Sequence, residues 1–320
     1  MPQAMTNPES EFCLPVAVVW AGDVPMVEYR WFPHKHLSRW FIEPAVARAK
    51  VARILPLDSL PFPAGPLSLR GYIHHVWRCG SSLLCRQLET FPRTVALGEP
   101  YFLADLLSKP GQPPALLSER IRKLIGAVCN ALEPVADNVV IKWPGHLAQH
   151  AAEIASALPE VPGIFLHRAP VEVLASMERN SLGLFDKLPE SYRGRLAVAQ
   201  GTDSSFAAVA HVIAANCDAA AAVKTLRHVD YADLPDATVT AIAPFFGFTV
   251  DAAAAAAMIA AAGPHSKDNS RQRAFSDDSQ AKRGEASAEA HRLAAEVITP
   301  ALARLIATLP PIAESRSAFG

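Results

Sequence analysis

The sequence predicts an α/β fold: a parallel β-sheet flanked by helices on both faces, preceded by a small N-terminal segment that contains a β-hairpin. Three observations predict it. Short apolar runs at 71–77, 94–98, 138–142, 163–167 and 226–230 read as strands bounded by turn residues. Stretches with helical spacing separate them, near 82–91, 114–132, 146–158, 170–182 and 190–223. Apolar strands joined through helical crossovers lie parallel and are buried on both faces. Two of the runs pass straight into a charged turn and a helix start, where ligands of open parallel sheets bind.

In chain order, 14–32 reads as a hairpin, with β-rich runs Val16 to Trp20 and Val24 to Trp31 around Ala-Gly-Asp. His34, Lys35, His36, Arg39 and Trp40 follow and lead into an expected helix from Pro44 to Ile54. Two histidines without further ligands read as surface residues rather than a metal site. The proline-rich 55–67 reads as the boundary between an N-terminal accessory segment (1–65) and the core (66–320). The accessory segment is expected to cover an acceptor site or form a homodimer contact. Past the last strand, 234–246, 251–262 and 285–308 look helical. The alanine-rich 252–262 stops at Gly263-Pro264. No apolar run reaches the ~18–20 residues that span a bilayer.

The most informative stretch is His75-Val76-Trp77-Arg78-Cys79-Gly80-Ser81-Ser82-Leu83-Leu84-Cys85-Arg86. It reads as a strand, a tight turn and a helix start. Gly80 tolerates backbone angles that a Cβ forbids. A helix N-terminus offers unpaired N–H groups and a partial positive charge, which suits phosphate, and Arg78 adds a fixed charge. A Walker A loop is excluded, because His75 stands where its first glycine would be and no Lys follows Gly80. A positive charge before the glycine and two hydroxyls after it instead resemble the 5′-phosphosulfate loop of the sulfotransferases that use 3′-phosphoadenosine 5′-phosphosulfate (PAPS). Arg78, Gly80, Ser81 and Ser82 match that pattern, Cys79 stands where Ser is usual, and Leu83 where animal cytosolic members carry Trp.

Three further stretches, in the family's order, extend the resemblance over roughly 70–285. "FLHRAPVEVLAS" resembles the second motif, whose Arg and Ser hold the 3′-phosphate; Arg168 and Ser176 have its eight-residue spacing. The plain structural reading of that pair is that Arg168 salt-bridges Glu172 and Ser176 packs. Tyr231 matches the Tyr near the adenine in a Tyr-Glu-Asp-Leu segment, with Ala232 in place of Glu. The polar, basic 265–283 resembles the loop that closes over the nucleotide, with Lys267, Arg271 and Arg273 as candidate phosphate contacts. The resemblance implies a P-loop-type sulfotransferase fold and transfer of a sulfuryl group from PAPS to a hydroxyl or amine of a small molecule, releasing PAP and needing no metal.

Transfer of this kind asks for positioning, charge stabilisation and a base. Glu99 follows the second strand of the sheet region, as the base does in the protein-tyrosine branch of the family. Lys142 matches a Lys of the cytosolic branch, but the branch's His position is Pro144, with His146 two residues on. Glu99 is the preferred base and His146 the alternative, with Lys142 and Arg78 neutralising the bridging oxygen. His74, His75 and His167 flank strands and read as structural.

The 320 residues carry a net charge of −1, which argues against a nucleic-acid binder. Five cysteines without C-x-x-C spacing disfavour a metal cluster or disulfide framework and suit a reducing cytoplasm. The N-terminus shows no signal peptide. Two other readings compete. A P-loop kinase using ATP and Mg²⁺ would need the missing Walker Lys. A non-catalytic domain of the same fold would bind nucleotide or a partner without turnover.

Overall fold

The computed structural model describes residues 11–33, 49–180, 205–262 and 279–312. Two sheets organise them. Strands β1 (Glu11–Ala21), β2 (Val24–Pro33) and β3 (Val51–Pro56) form an antiparallel sheet in sequential order. The expected hairpin is present, turning at Gly22-Asp23. The helix expected to run through Ile54 is not: residues 51–54 belong to β3, which pairs with β2 from Met26↔Pro56 to Arg30↔Val51. Ala and Arg there permit a helix, but the open edge of β2 offers a ladder of hydrogen bonds that an isolated helical turn cannot match.

The second sheet holds β4 (Leu69–His75), β5 (Thr94–Gly98), β6 (Asn138–Lys142), β7 (Gly163–His167) and β8 (Arg227–Asp230) in the order β5-β6-β4-β7-β8. Every pairing is parallel. Ile73, Val140, Ile141, Ile164, Phe165 and Leu166 are fully buried, as a sheet covered on both faces requires. Burying each such side chain contributes about 1.5–3 kcal/mol.

Helices α1 (Ser81–Leu88), α2 (Phe102–Ser108), α3 (Pro114–Leu132), α4 (Ala151–Ala157), α5 (Pro170–Asn180) and α6 (Ser205–Ala221) make the connections. On α3, Ile121, Leu124, Ile125, Val128 and Leu132 recur at helical spacing and are all buried. After β8 the chain is less regular than expected. Residues 238–242 form a π-type turn, followed by α7 (Ala252–Ala262), α8 (Ser279–Glu285), α9 (Ala288–Leu293), a second π-type turn at 294–298 and α10 (Thr299–Thr308). The expected loop over 265–283 is thus helical from Ser279 onward.

The antiparallel sheet is docked on the core. β1 packs against α2 and α3. Trp20 Nε1 donates to the Asp105 carbonyl at 3.2 Å, with the ammonium of Lys109 5.2 Å from the Trp20 ring centroid. Arg120 of α3 pairs with Asp58 through Nε (2.8 Å) and Nη2 (2.7 Å), which pins the proline-rich stretch. No helix among the described residues is long and apolar enough to cross a membrane.

Candidate active site

The C-terminal ends of all five parallel strands carry a candidate residue. Arg78 to Ser82 follow β4, Glu99 follows β5, Lys142 ends β6, Arg168 follows β7 and Tyr231 follows β8. Parallel strands place these ends on one edge of the sheet, so residues scattered over 78–231 stand along that edge.

The turn after β4 is held in an uncommon conformation. Trp77 (φ 58°) and Arg78 (φ 48°) both lie in the left-handed region, as does Gly80 (φ 85°). The Trp77 N–H donates to Nδ1 of His75 at 3.1 Å. Gly80 caps α1: its carbonyl accepts from Leu83 N–H (2.9 Å) and Leu84 N–H (3.1 Å). A Cβ at Gly80 would stand 2.7 Å from the Tyr231 ring, so the glycine lets β8's Tyr close on the turn. Ser81 and Ser82 open α1, as its expected anion socket requires. Leu83 is buried, and so is the Cys79 thiol, which pushes its pKa up to about 11 and keeps it neutral.

One flank of the turn is an arginine cluster. Arg78 Nε donates to Ser176 Oγ at 2.7 Å, linking the first and second motifs. Arg168 lies 3.9 Å from the Tyr231 ring centroid, and its Nη1 reaches the Arg78 carbonyl at 3.5 Å. Arg168 Nε also donates to Glu172 at 2.6 Å, with both side chains buried. Glu172 accepts a second arginine, Arg283 of α8, whose Nε and Nη2 both lie 2.7 Å from Oε1. Arg168 thus forms the pair with Glu172 that the plain structural reading expects, and its other end reaches the turn at the Arg78 carbonyl.

The other flank is an acid–base cluster. Lys142 is fully buried, with Nζ 3.0 Å from Glu99 Oε1 and 3.4 Å from Ser82 Oγ. Glu99 has φ 53°, and its N–H donates to the Lys142 carbonyl at 2.7 Å. His75 Nε2 lies 3.6 Å from the same Glu99 Oε1. His146 sits in a helical turn, Gly145–His150, with its ring 5.8 Å from that of Tyr101. Burial, and secondarily the charge of His150, pushes its pKa down to about 3. A group that releases its proton so readily is a weak base at neutral pH. Burial likewise depresses His167 to about 4; it pairs with His228 (3.2 Å) beside Asp230.

The structure thus brings Arg78, Arg168, Ser176 and Tyr231 together on one flank of the Gly80–Ser82 turn, and Glu99 and Lys142 on the other, where Lys142 reaches Ser82. Arg78, expected with Lys142 to neutralise the bridging oxygen, bonds Ser176 on the flank of Arg168. Lys267, Arg271 and Arg273 lie outside the described residues. Sequence reasoning passed over three residues. Glu172 stood there only as a competitor for Arg168, although its i+4 spacing signalled the pair. His75 was set aside as structural. Arg283 gave no usable signal, because 111 residues separate it from Glu172. Among the described residues no group of three or more His, Cys, Asp or Glu could hold a metal ion.

No protein-family model matches the chain, and no curated protein matches it. Solved structures similar to it include sulfotransferases. One, from Mycobacterium avium, is 15% identical with a TM-score of 0.45, over 72% of this chain and 76% of its own. A second, from Alicyclobacillus acidocaldarius, is 15% identical with a TM-score of 0.42, over 76% and 96%. A third, a sulfotransferase domain from the curacin biosynthetic pathway, is 14% identical with a TM-score of 0.41, over 72% and 97%.

Proposed function

We propose that this chain is a PAPS-dependent sulfotransferase acting on a hydroxyl or amine of a small molecule, in the cytoplasm. The observation that carries the reading is the arrangement of donors about the turn after β4. Two guanidiniums and a serine, Arg78, Arg168 and Ser176, gather on one flank; an ammonium and a serine, Lys142 and Ser82, stand on the other. This donor set suits a ligand with anionic groups at both ends, such as a nucleotide carrying a 3′-phosphate and a 5′-phosphosulfate. The glycine that admits the Tyr231 ring, and the Arg168 guanidinium over that ring, supply a flat platform between them.

In this reading Arg168 and Ser176 hold the 3′-phosphate, Arg78 supports them, and Ser81 and Ser82 with the start of α1 hold the 5′-phosphosulfate. Glu99 takes the proton of the acceptor hydroxyl as the acceptor oxygen bonds to sulfur. The bond from sulfur to the bridging oxygen breaks, its electron pair leaves on PAP, and Lys142 offsets the charge that builds there. The Lys142–Glu99 ion pair holds the ammonium and the carboxylate side by side at the ends of neighbouring strands. Glu99 is preferred to His146 because it pairs with Lys142, whose ammonium also reaches Ser82, whereas burial depresses the pKa of His146.

Calorimetric titration with PAP, against AMP, ADP and ATP–Mg²⁺, tests the nucleotide assignment. Tight binding that requires the 3′-phosphate is expected. Preference for ATP–Mg²⁺, or no binding, would refute it.

A further inference from the structure

We propose that His75 is a positioning residue that couples the phosphate-binding turn to the base. The inference rests on the reading of Glu99 as base. His75 is the last residue of β4, buried, and touches both partners at once. At Nδ1 it accepts the Trp77 N–H (3.1 Å), so in the neutral ring the proton sits on Nε2. That nitrogen faces Glu99 Oε1 at 3.6 Å, the same oxygen that Lys142 Nζ approaches at 3.0 Å.

Two consequences follow. Both contacts fall on Oε1, which makes Oε2 the carboxylate oxygen that takes the acceptor's proton; His75 keeps its own proton throughout. The two backbone positions that His75 bridges, Trp77 (φ 58°) and Glu99 (φ 53°), are both in the left-handed region, where non-glycine residues persist only if their surroundings impose it. A buried ring set between them ties the shape of the turn to the aim of the carboxylate. The 3.6 Å separation exceeds a hydrogen bond, and contacts of this kind tighten when the ligand is in place.

Two substitutions separate the halves of this role. In His75→Asn the short amide reaches the place of Nδ1 and keeps an acceptor for Trp77 N–H, but nothing reaches Glu99. In His75→Gln the longer amide returns a donor at the place of Nε2. Nitrogen-15 histidine NMR of the intact protein should show His75, assigned by its loss in His75→Asn, with the proton on Nε2. The Glu99 carboxyl carbon, followed by ¹³C NMR with PAP bound so that the contact has tightened, should change its chemical shift in His75→Asn while the Lys142 contact remains. In His75→Asn, PAP affinity should stay within about twofold of the parent while PAP release from PAPS slows by roughly tenfold or more; His75→Gln should recover part of it. An Nδ1–H tautomer, or an unmoved Glu99 carboxyl ¹³C signal in a folded, PAP-bound His75→Asn protein, would overturn the proposal. Retained PAPS turnover in Glu99→Gln would instead reject Glu99 as base, which the two NMR readouts do not depend on.

Discussion

Replacing Arg168 with Ala has two consequences that can be measured apart. The first concerns stability. Arg168 and Glu172 are both buried and 2.6 Å apart, so removing the guanidinium strips a buried carboxylate of one partner. Breaking such a pair costs about 3–5 kcal/mol. Glu172 keeps Arg283, with two contacts at 2.7 Å, so the lower end applies. At about 2 °C per kcal/mol for a large domain, that predicts a fall in Tm of roughly 6 °C. The second consequence concerns the ligand. A charge-assisted contact contributes about 1.5–3 kcal/mol, so PAP should bind roughly 10- to 150-fold more weakly. AMP lacks the 3′-phosphate and should bind the variant nearly as well as the parent. The assay is paired calorimetry of PAP and AMP on both proteins, below the melting transition of the variant. The ratio of the two affinities cancels any general loosening of the turn. A ratio that is the same in parent and variant would refute the assignment of Arg168 to the 3′-phosphate, whatever happens to Tm.

Other outcomes follow from the same geometry. Gly80→Ala should destabilise the protein by about 1–2 kcal/mol for the left-handed backbone and about 1–3 kcal/mol for the clash with Tyr231, and should abolish tight PAP binding; unchanged calorimetry would show that the turn is not the site. Glu99→Gln should bind PAP like the parent, lose turnover of PAPS, and melt lower by an amount equivalent to about 3 kcal/mol, because the buried Lys142 loses its counter-ion. His74 is buried and its pKa is depressed to about 3 by burial, so the unfolded chain binds more protons below pH ~6.5 and stability falls as pH drops from there towards 3. His146 and His167 act in the same direction. Glu89, raised to about 7 by burial, acts oppositely and erodes stability as pH climbs from the usual carboxylate range towards 7. His74→Phe should therefore move the acid unfolding midpoint to lower pH in a denaturation series; an unmoved midpoint would show that His74 does not drive the transition.

Much of the fold was legible because buried strands announce themselves locally. Residues 94–98, 138–142 and 163–167 are short apolar runs between turn residues, and the strands lie there to the residue. Helix α3 was equally clear from its apolar stripe. The chain failed to announce β3, whose Val51-Ala52-Arg53-Ile54 is compatible with a helix until β2 offers its edge. The π-type turns near 240 and 296 were hidden for a similar reason: spacing marks a helix but not an inserted residue.

The site divides in the same way. Sequence by itself determined which residue types stand at the strand ends: Arg78-Cys79-Gly80-Ser81-Ser82, Glu99, Lys142, Arg168 with Ser176, and Tyr231. Motif spacing is a local property, set by one turn or two turns of helix, and can be read without knowing the neighbours. Only the tertiary structure decided which of these side chains meet. The strand order β5-β6-β4-β7-β8 puts Glu99 and Lys142 on one side of the turn and Arg168 and Tyr231 on the other. It sends Arg78 to Ser176, delivers Arg283 to Glu172, and sets His75 between Trp77 and Glu99. Such encounters depend on how parallel strands are ordered across a sheet, and no local pattern in the chain encodes that order.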